Sequence, residues 1–325
     1  MTPARPRHGP LARALAAAVV LVLTSVLLVT SAGLTVLLLV RDGADRADGR
    51  VTGMAVVAGP AADAAAAGRG SGTGPPDPGV HQRTAPLDPA RLVAEVDAAA
   101  AAAGGSIAVV VSAPDGRPLV SGPGAGEAVY SASLVKVLLV GRLLALEADG
   151  ALTLTDRERA LAERAIVRSD DPATSLLWDL FDGAALVAGV AAAAGLTATA
   201  PPAVAGRWGE ATTSAADVGI VLSRLAALVG SGPAATLLGW MRATTATGAD
   251  GFGQHFGLLA GTDGTVAAKQ GWMCCVDGTR QLHSAGVLPG GQVVVLLGDF
   301  PVSTSWARAR AALDAAAGAV RAAVG

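Results

Sequence analysis

The chain has 325 residues, of which 52% are hydrophobic and 15% charged, and its formal net charge is −2. That length allows one large domain or two small ones, and a near-neutral chain with no basic block argues against a nucleic-acid partner. Its two cysteines, Cys274 and Cys275, are adjacent, which excludes a disulfide framework; they also lack partners at metal-ligand spacing, so no metal and no cofactor is expected.

Residues 1–13 carry Arg5, Arg7 and Arg13 and read as a cytoplasmic tail. From Ala14 to Val40 run 27 uncharged residues, more than the ~20 that span a bilayer. Arginines ahead of the run favour an inside N-terminus. The run is therefore expected to be a single-pass membrane anchor, with everything after it extracytoplasmic. The alternative is a cleaved signal peptide, whose apolar core is usually shorter. No cysteine follows the run to carry a lipid. Residues 41–87 are rich in Gly, Ala, Asp and Pro without a sustained period, and read as a flexible tether.

From residue 88 the pattern becomes that of a folded domain, 88–325. Asp88-Pro89 opens an Ala-rich helix, Ala90 to Ala103. A strand follows over Ser106 to Ser112, then a Pro114-Asp115-Gly116 turn and a return strand from Arg117 to Ser121. A long helix begins near Ser133 and ends at about Asp149-Gly150. Thr155-Asp156-Arg157-Glu158 fits a capping box for a helix to Arg168. Helices are expected over Ala173 to Phe181, Ala184 to Ala194, Thr212 to Val229 and Ala234 to Met241. Strands return over Thr265 to Trp272, Gln281 to Leu288 and Gln292 to Phe300, before a last amphipathic helix from Ser305 to Val324. This order predicts an α+β fold: an antiparallel sheet built from both ends of the domain, flanked by helices, with an all-helical half inserted. The site is expected in the cleft between the halves.

Three short motifs fall on these elements. Ser133 and Lys136 stand three apart at a helix start, so both project from one face of its first turn. Ser169-Asp170-Asp171 lies in the helical half, and Lys269-Gln270-Gly271 on the strand opening the terminal sheet run. Lys136 and Lys269 are the only lysines among 24 basic residues. Arginine stays protonated, whereas a buried lysine can lose its proton and act as a base. A serine nucleophile with a lysine base one helical turn away is the chemistry this spacing suits.

In order and element type the three motifs resemble the S-x-x-K, S-D-N and K-T-G motifs of class A β-lactamases and penicillin-binding proteins. The resemblance covers about 88–325 and implies a β-lactamase-like serine hydrolase. It implies that Ser133 is acylated by a β-lactam or a D-Ala-D-Ala-like peptide of the cell wall, with Lys136 taking its proton. Ser169 would relay a proton to the leaving nitrogen, and Lys269 would hold the substrate carboxylate. Gly271 would let the strand backbone approach the ligand closely. An oxyanion hole of backbone N–H groups would take one donor from Ser133 and the other near Met273.

Departures from that pattern are Asp171 in place of asparagine and Gln270 in place of a hydroxyl residue, both assigned to substrate binding. No Glu-Leu-Asn deacylation sequence precedes Thr212-Thr213; Glu210 is the carboxylate available there, the alternative being a solvated helix-terminal Glu. His283 is a candidate for the cleft wall, in place of an arginine that holds substrate carboxylate in some relatives, or else a half-exposed strand residue. One of Cys274 and Cys275 is expected in the core, a vicinal disulfide being the less favoured alternative. Tyr130 is expected in the core, Trp272 is a candidate for the cleft, and Trp178, Trp208, Trp240 and Trp306 are read as packing. The reading of another class is a catalytically degenerate binding protein of the same fold, favoured by Asp171 and Gln270.

Overall fold

The computed structural model describes residues 86–325. The expected tail, anchor and most of the tether lie outside the described residues. Among the described residues no single helix is long and apolar enough to cross a membrane.

Helix α1 (Pro89–Ala102) starts where Asp88 accepts hydrogen bonds from the N–H groups of Ala90 and Arg91, with proline in the first turn. Strand β1 (Ser106–Ser112) turns at Gly116, φ +83°, into β2 (Pro118–Ser121). A two-residue strand β3 (Val129–Tyr130) leads into a 3-10 turn, Ala132–Leu134, and then α2 (Val135–Ala148). The helical half continues as α3 (Asp156–Val167), α4 (Asp171–Leu180) and α5 (Gly183–Ala194). The Thr155–Glu158 capping box is present with both hydrogen bonds formed, and Gly195 ends α5 in the left-handed conformation, as its sequence position suggests.

The expected helix over Thr212 to Val229 divides into three pieces. Thr212–Thr213 form β4, paired with Val129 and Tyr130. Ser214, not a threonine, caps α6 (Ala215–Ser223) by accepting from the Asp217 N–H. The chain then breaks at Arg224 before α7 (Leu225–Val229). Two threonines are β-formers with a free partner strand beside them, and the pairing wins over helix. Helix α8 (Ser231–Arg242) completes this half.

The last three strands are β5 (Ala267–Val276), β6 (Thr279–Val287) and β7 (Val293–Pro301), followed by α9 (Trp306–Val324). Strand β5 runs four residues beyond its expected end. Asp277-Gly278, with φ +52° and +78°, supplies the tight two-residue turn that keeps β5 and β6 paired to their ends. One antiparallel sheet results, in the order β2-β1-β7-β6-β5. The N-terminal and C-terminal strands β1 and β7 pair at its centre, as the expected two-ended sheet requires.

Strand alternation divides the core in two. Val109, Val111, Val294 and Leu296 face one way and pack with Leu92 and Val96 of α1 and Leu313 and Val320 of α9. Val110, Val293, Val295 and Leu297 face the other way, towards the helical half, with Leu139, Leu143, Ile166, Leu177 and Leu237. Strand β5 is an edge strand, so one side of its backbone is free to face a ligand.

Candidate active site

The turn that carries Ser133 is held by three contacts. Ala132, immediately before Ser133, has φ +45°, a conformation unfavourable for a residue with a Cβ unless its surroundings enforce it. The Ser131 N–H donates to the Ala211 carbonyl, and His283 Nε2 donates to the Tyr130 carbonyl at 2.9 Å. Gly271 of β5 presses against this turn. A Cβ at residue 271 would lie 3.3 Å from the Ser131 carbonyl oxygen and 3.4 Å from the Ala132 Cβ. Gly271 thus lets β5 approach the turn that carries Ser133, a contact distinct from the approach to a ligand expected of it.

Ser133, Lys136, Ser169 and Lys269 come together as one buried cluster. Ser169, φ +50°, sits on the bend between α3 and α4. Its Oγ donates to Ser133 Oγ at 2.9 Å and accepts from Lys269 Nζ at 2.9 Å and Lys136 Nζ at 3.2 Å. One donor and two acceptor positions fill the capacity of a hydroxyl. Lys136 Nζ also donates to the Ser169 carbonyl at 2.8 Å and to Asp171 Oδ1 at 2.6 Å. Lys269 Nζ also donates to the Gln270 carbonyl at 2.9 Å. The expected direct link between Lys136 and Ser133 is thus replaced by a link through Ser169.

Both lysines are enclosed, at 0% and 1% exposure. Burial lowers the Lys136 pKa, while the Asp171 carboxylate pulls against it. Burial, with the like charge of Lys136, holds Lys269 well below the ordinary lysine value. Each ammonium also lies over an indole: Lys136 is 4.8 Å from the Trp208 ring centre and Lys269 is 5.7 Å from that of Trp272. Asp170, also buried, caps α4 through the Ala173 N–H and is gripped by Arg164, which fixes the bend that carries Ser169.

Above the cluster opens a cavity of about 370 Å³, lined by Ser133, Asp171, Ser175, Trp208, Glu210 and Met273, with Trp272 at its edge. Its outer wall is the 3-10 turn Trp208–Glu210. Asp217 secures the loop ahead of that turn by accepting from the Thr197 and Ala198 N–H groups and the Thr199 hydroxyl.

The model of the Beta-lactamase enzyme family matches residues 158–298, a stretch that includes Ser169 and Lys269. The chain superposes on β-lactamases from Chitinophaga pinensis (TM-score 0.59, 17% identity) and Xanthomonas campestris (TM-score 0.57, 21% identity), covering 71% and 72% of this chain and 98% of each of theirs. The described domain has a β-lactamase-like α+β fold. The chain is also similar to the putative lipoprotein LppW of Mycobacterium tuberculosis and of Mycobacterium bovis, 36% identical to each over 195 residues. That match covers 58% of this chain, which spans about 61% of the length of those relatives.

Several residues around the cavity differ from expectation. Gln270 does not face the cleft: it is fully buried, and its Nε2 donates to the Gln254 carbonyl at 3.1 Å and to the Phe256 carbonyl. Strand alternation puts it on the face opposite Lys269 and Gly271, and the loop before β5 supplies acceptors that sequence pattern does not reveal. His283 is likewise buried beneath Gly271 and bound to Tyr130, so it holds the turn that carries Ser133 and does not reach the cavity. Cys274 and Cys275 are both exposed and joined to each other as a vicinal disulfide at the end of β5, so neither is core. Trp208 lines the cavity in place of mere packing, its Nε1 donating to Ser175 Oγ at 3.1 Å.

Tyr130 is half-buried, not core. Its hydroxyl donates to Asp277 at 2.8 Å and ties the nucleophile strand to the β5–β6 turn. Glu210 lines the cavity but is engaged by Arg207. Asp171 reaches the cavity while paired with Lys136. Among the described residues no three His, Cys, Asp or Glu side chains cluster to hold a metal.

Burial drives the His283 pKa down to about 4. The ring is then neutral when folded but takes a proton when unfolded below its ordinary 6.5. Stability from this residue is complete above pH 6.5 and is lost as pH falls towards 4. At about 1.4 kcal/mol per pH unit the loss amounts to ~3 kcal/mol. Denaturant unfolding of His283→Gln is expected to show a drop over that interval smaller than wild type by about this amount; matching drops would show that His283 is not the residue titrating.

Proposed function

We propose that the chain is a membrane-anchored, extracytoplasmic serine hydrolase, acylated at Ser133 by β-lactams or D-Ala-D-Ala-like peptides. The observation that carries this is the chain of hydrogen bonds from Ser133 Oγ through Ser169 Oγ to two buried lysine amines. A lysine whose charge burial opposes is a base at moderate pH. With the hydroxyls rotated, the Ser133 proton passes to Ser169 as the Ser169 proton passes to a neutral lysine. Ser133 Oγ then bonds the substrate carbonyl carbon. The backbone N–H of Ser133 and one near Met273 on the free edge of β5 receive the oxyanion. As the C–N bond breaks, the lysine proton returns through Ser169 to the leaving nitrogen.

Deacylation lacks an equivalent device. The two carboxylates at the cavity each face a cation, Glu210 facing Arg207 and Asp171 giving one oxygen, Oδ1, to Lys136. Neither is set to activate a water, so a slowly hydrolysed acyl-enzyme is expected, and a peptidase or weak β-lactamase fits better than an efficient one. The name lipoprotein given to LppW supports membrane association. Here the apolar run 14–40 is the segment assigned to it, because the two cysteines, Cys274 and Cys275, lie far beyond that run.

The second reading, a binding protein that has lost turnover, draws on the Lys136–Asp171 ion pair, which favours the protonated, non-basic lysine. Intact-mass spectrometry of the full chain in detergent with benzylpenicillin separates the two. A persistent adduct of one penicillin, absent from Ser133→Ala, is the expected result. Accumulating hydrolysed penicillin without a lasting adduct would mean efficient deacylation and make Glu210 the next residue to change. No adduct would favour the binding protein.

A further inference from the structure

The α4 wall of the cavity carries a carboxylate with capacity to spare. Asp171 gives Oδ1 to Lys136, yet its side chain is 59% exposed and stands beside Ser133, Ser175 and Trp208. The other charges around the cavity are committed. Arg207 is paired with Glu210, and Lys269 is enclosed with its amine on Ser169 and Gln270. Asp171 and Arg207 are the charges at the cavity most open to solvent; Glu210 beside Arg207 neutralises it, whereas the partner of Asp171 is an enclosed amine whose charge burial opposes.

We propose, on the basis of the acyl-transfer reading above, that this cleft selects substrates bearing an ammonium group, seated against Asp171. The placement also couples binding to the base. Asp171 is the group that sustains the charge on Lys136 against burial. An incoming ammonium that draws the carboxylate to itself adds positive charge beside Lys136 and weakens its counter-ion. Lys136 then releases a proton to cleft water, and the neutral amine accepts the Ser133 proton through Ser169. An uncharged substrate leaves the Lys136–Asp171 pair as it stands.

A charge series on one scaffold tests this. Benzylpenicillin, ampicillin and carbenicillin carry hydrogen, ammonium and carboxylate at the same side-chain carbon. Acylation of the full chain in detergent is followed by intact mass, at a pH where the ampicillin amine is charged. Ampicillin is expected to acylate about five- to tenfold faster than benzylpenicillin, and carbenicillin slower by a similar factor. The spread should shrink to about twofold in molar salt, which needs no variant, and in Asp171→Asn. Equal rates across the series in wild type would overturn the proposal. So would a spread that survives in Asp171→Asn, or one that collapses in Glu210→Gln instead. Failure of all three penicillins to form an adduct would overturn the acyl-transfer reading itself, and this inference with it.

Discussion

Replacing Ser169 by alanine is expected to cut the rate of Ser133 acylation by about 10³-fold, the range seen when an essential proton-transfer or charge-stabilising group is removed. The reason is topological. Lys136 and Lys269 both reach the nucleophile through Ser169 Oγ. Without that oxygen, two amines remain in the site and neither is connected to Ser133. Folding should change little. Lys136 keeps the Ser169 carbonyl and Asp171, and Lys269 keeps the Gln270 carbonyl. The lost hydroxyl contacts cost about 1–2 kcal/mol.

Ser169→Gly is a useful second variant. Residue 169 has φ +50°, which glycine adopts without the penalty alanine meets. The two variants should differ in thermal stability and agree in lost acylation. If either retains acylation within a few-fold of wild type, a lysine reaches Ser133 directly and Ser169 is only a spacer.

The parts legible in sequence were those set by local rules. The capping box at Thr155, the left-handed glycine after α5 and the strand–turn–strand at Gly116 are each written within a few neighbouring residues. The scarcity of lysine singled out Lys136 and Lys269, and the fold buries both beside one serine. What escaped depended on distant partners. Whether Thr212-Thr213 starts a helix or a strand is decided by Val129 and Tyr130, more than eighty residues earlier. Gln270 is turned by the carbonyls of Gln254 and Phe256. Asp277-Gly278 is a local signal that was available: an Asp-Gly pair between strand-like runs marks a tight hairpin, and it would have extended β5 to Val276.

The Lys269→Met variant should separate the demands of the site from those of the fold. Its acylation rate is expected to fall by about 10³-fold, since the variant loses the amine nearest Ser169 Oγ, 2.9 Å away against 3.2 Å for Lys136. Its stability should respond to pH in the opposite sense to a loss. In the folded chain the Lys269 pKa lies well below 10.5 because of burial and the charge of Lys136, whereas in the unfolded chain it returns to that value. As pH falls from 10.5 towards the folded value, the unfolded chain gains a proton that the folded chain does not. Wild type therefore loses up to about 1.4 kcal/mol per pH unit over that window, and methionine, of similar length and without charge, abolishes the loss. Denaturant unfolding between pH 10 and 7 should show a flatter profile for Lys269→Met than for wild type (about 1.4 kcal/mol per unit being the slope to detect). Parallel profiles would mean that Lys269 stays charged when folded. It would then serve as a fixed cation beside Ser169, and Lys136 alone would carry the proton. A flatter profile together with lost acylation would show that the fold holds a destabilising amine because the chemistry at Ser133 requires one.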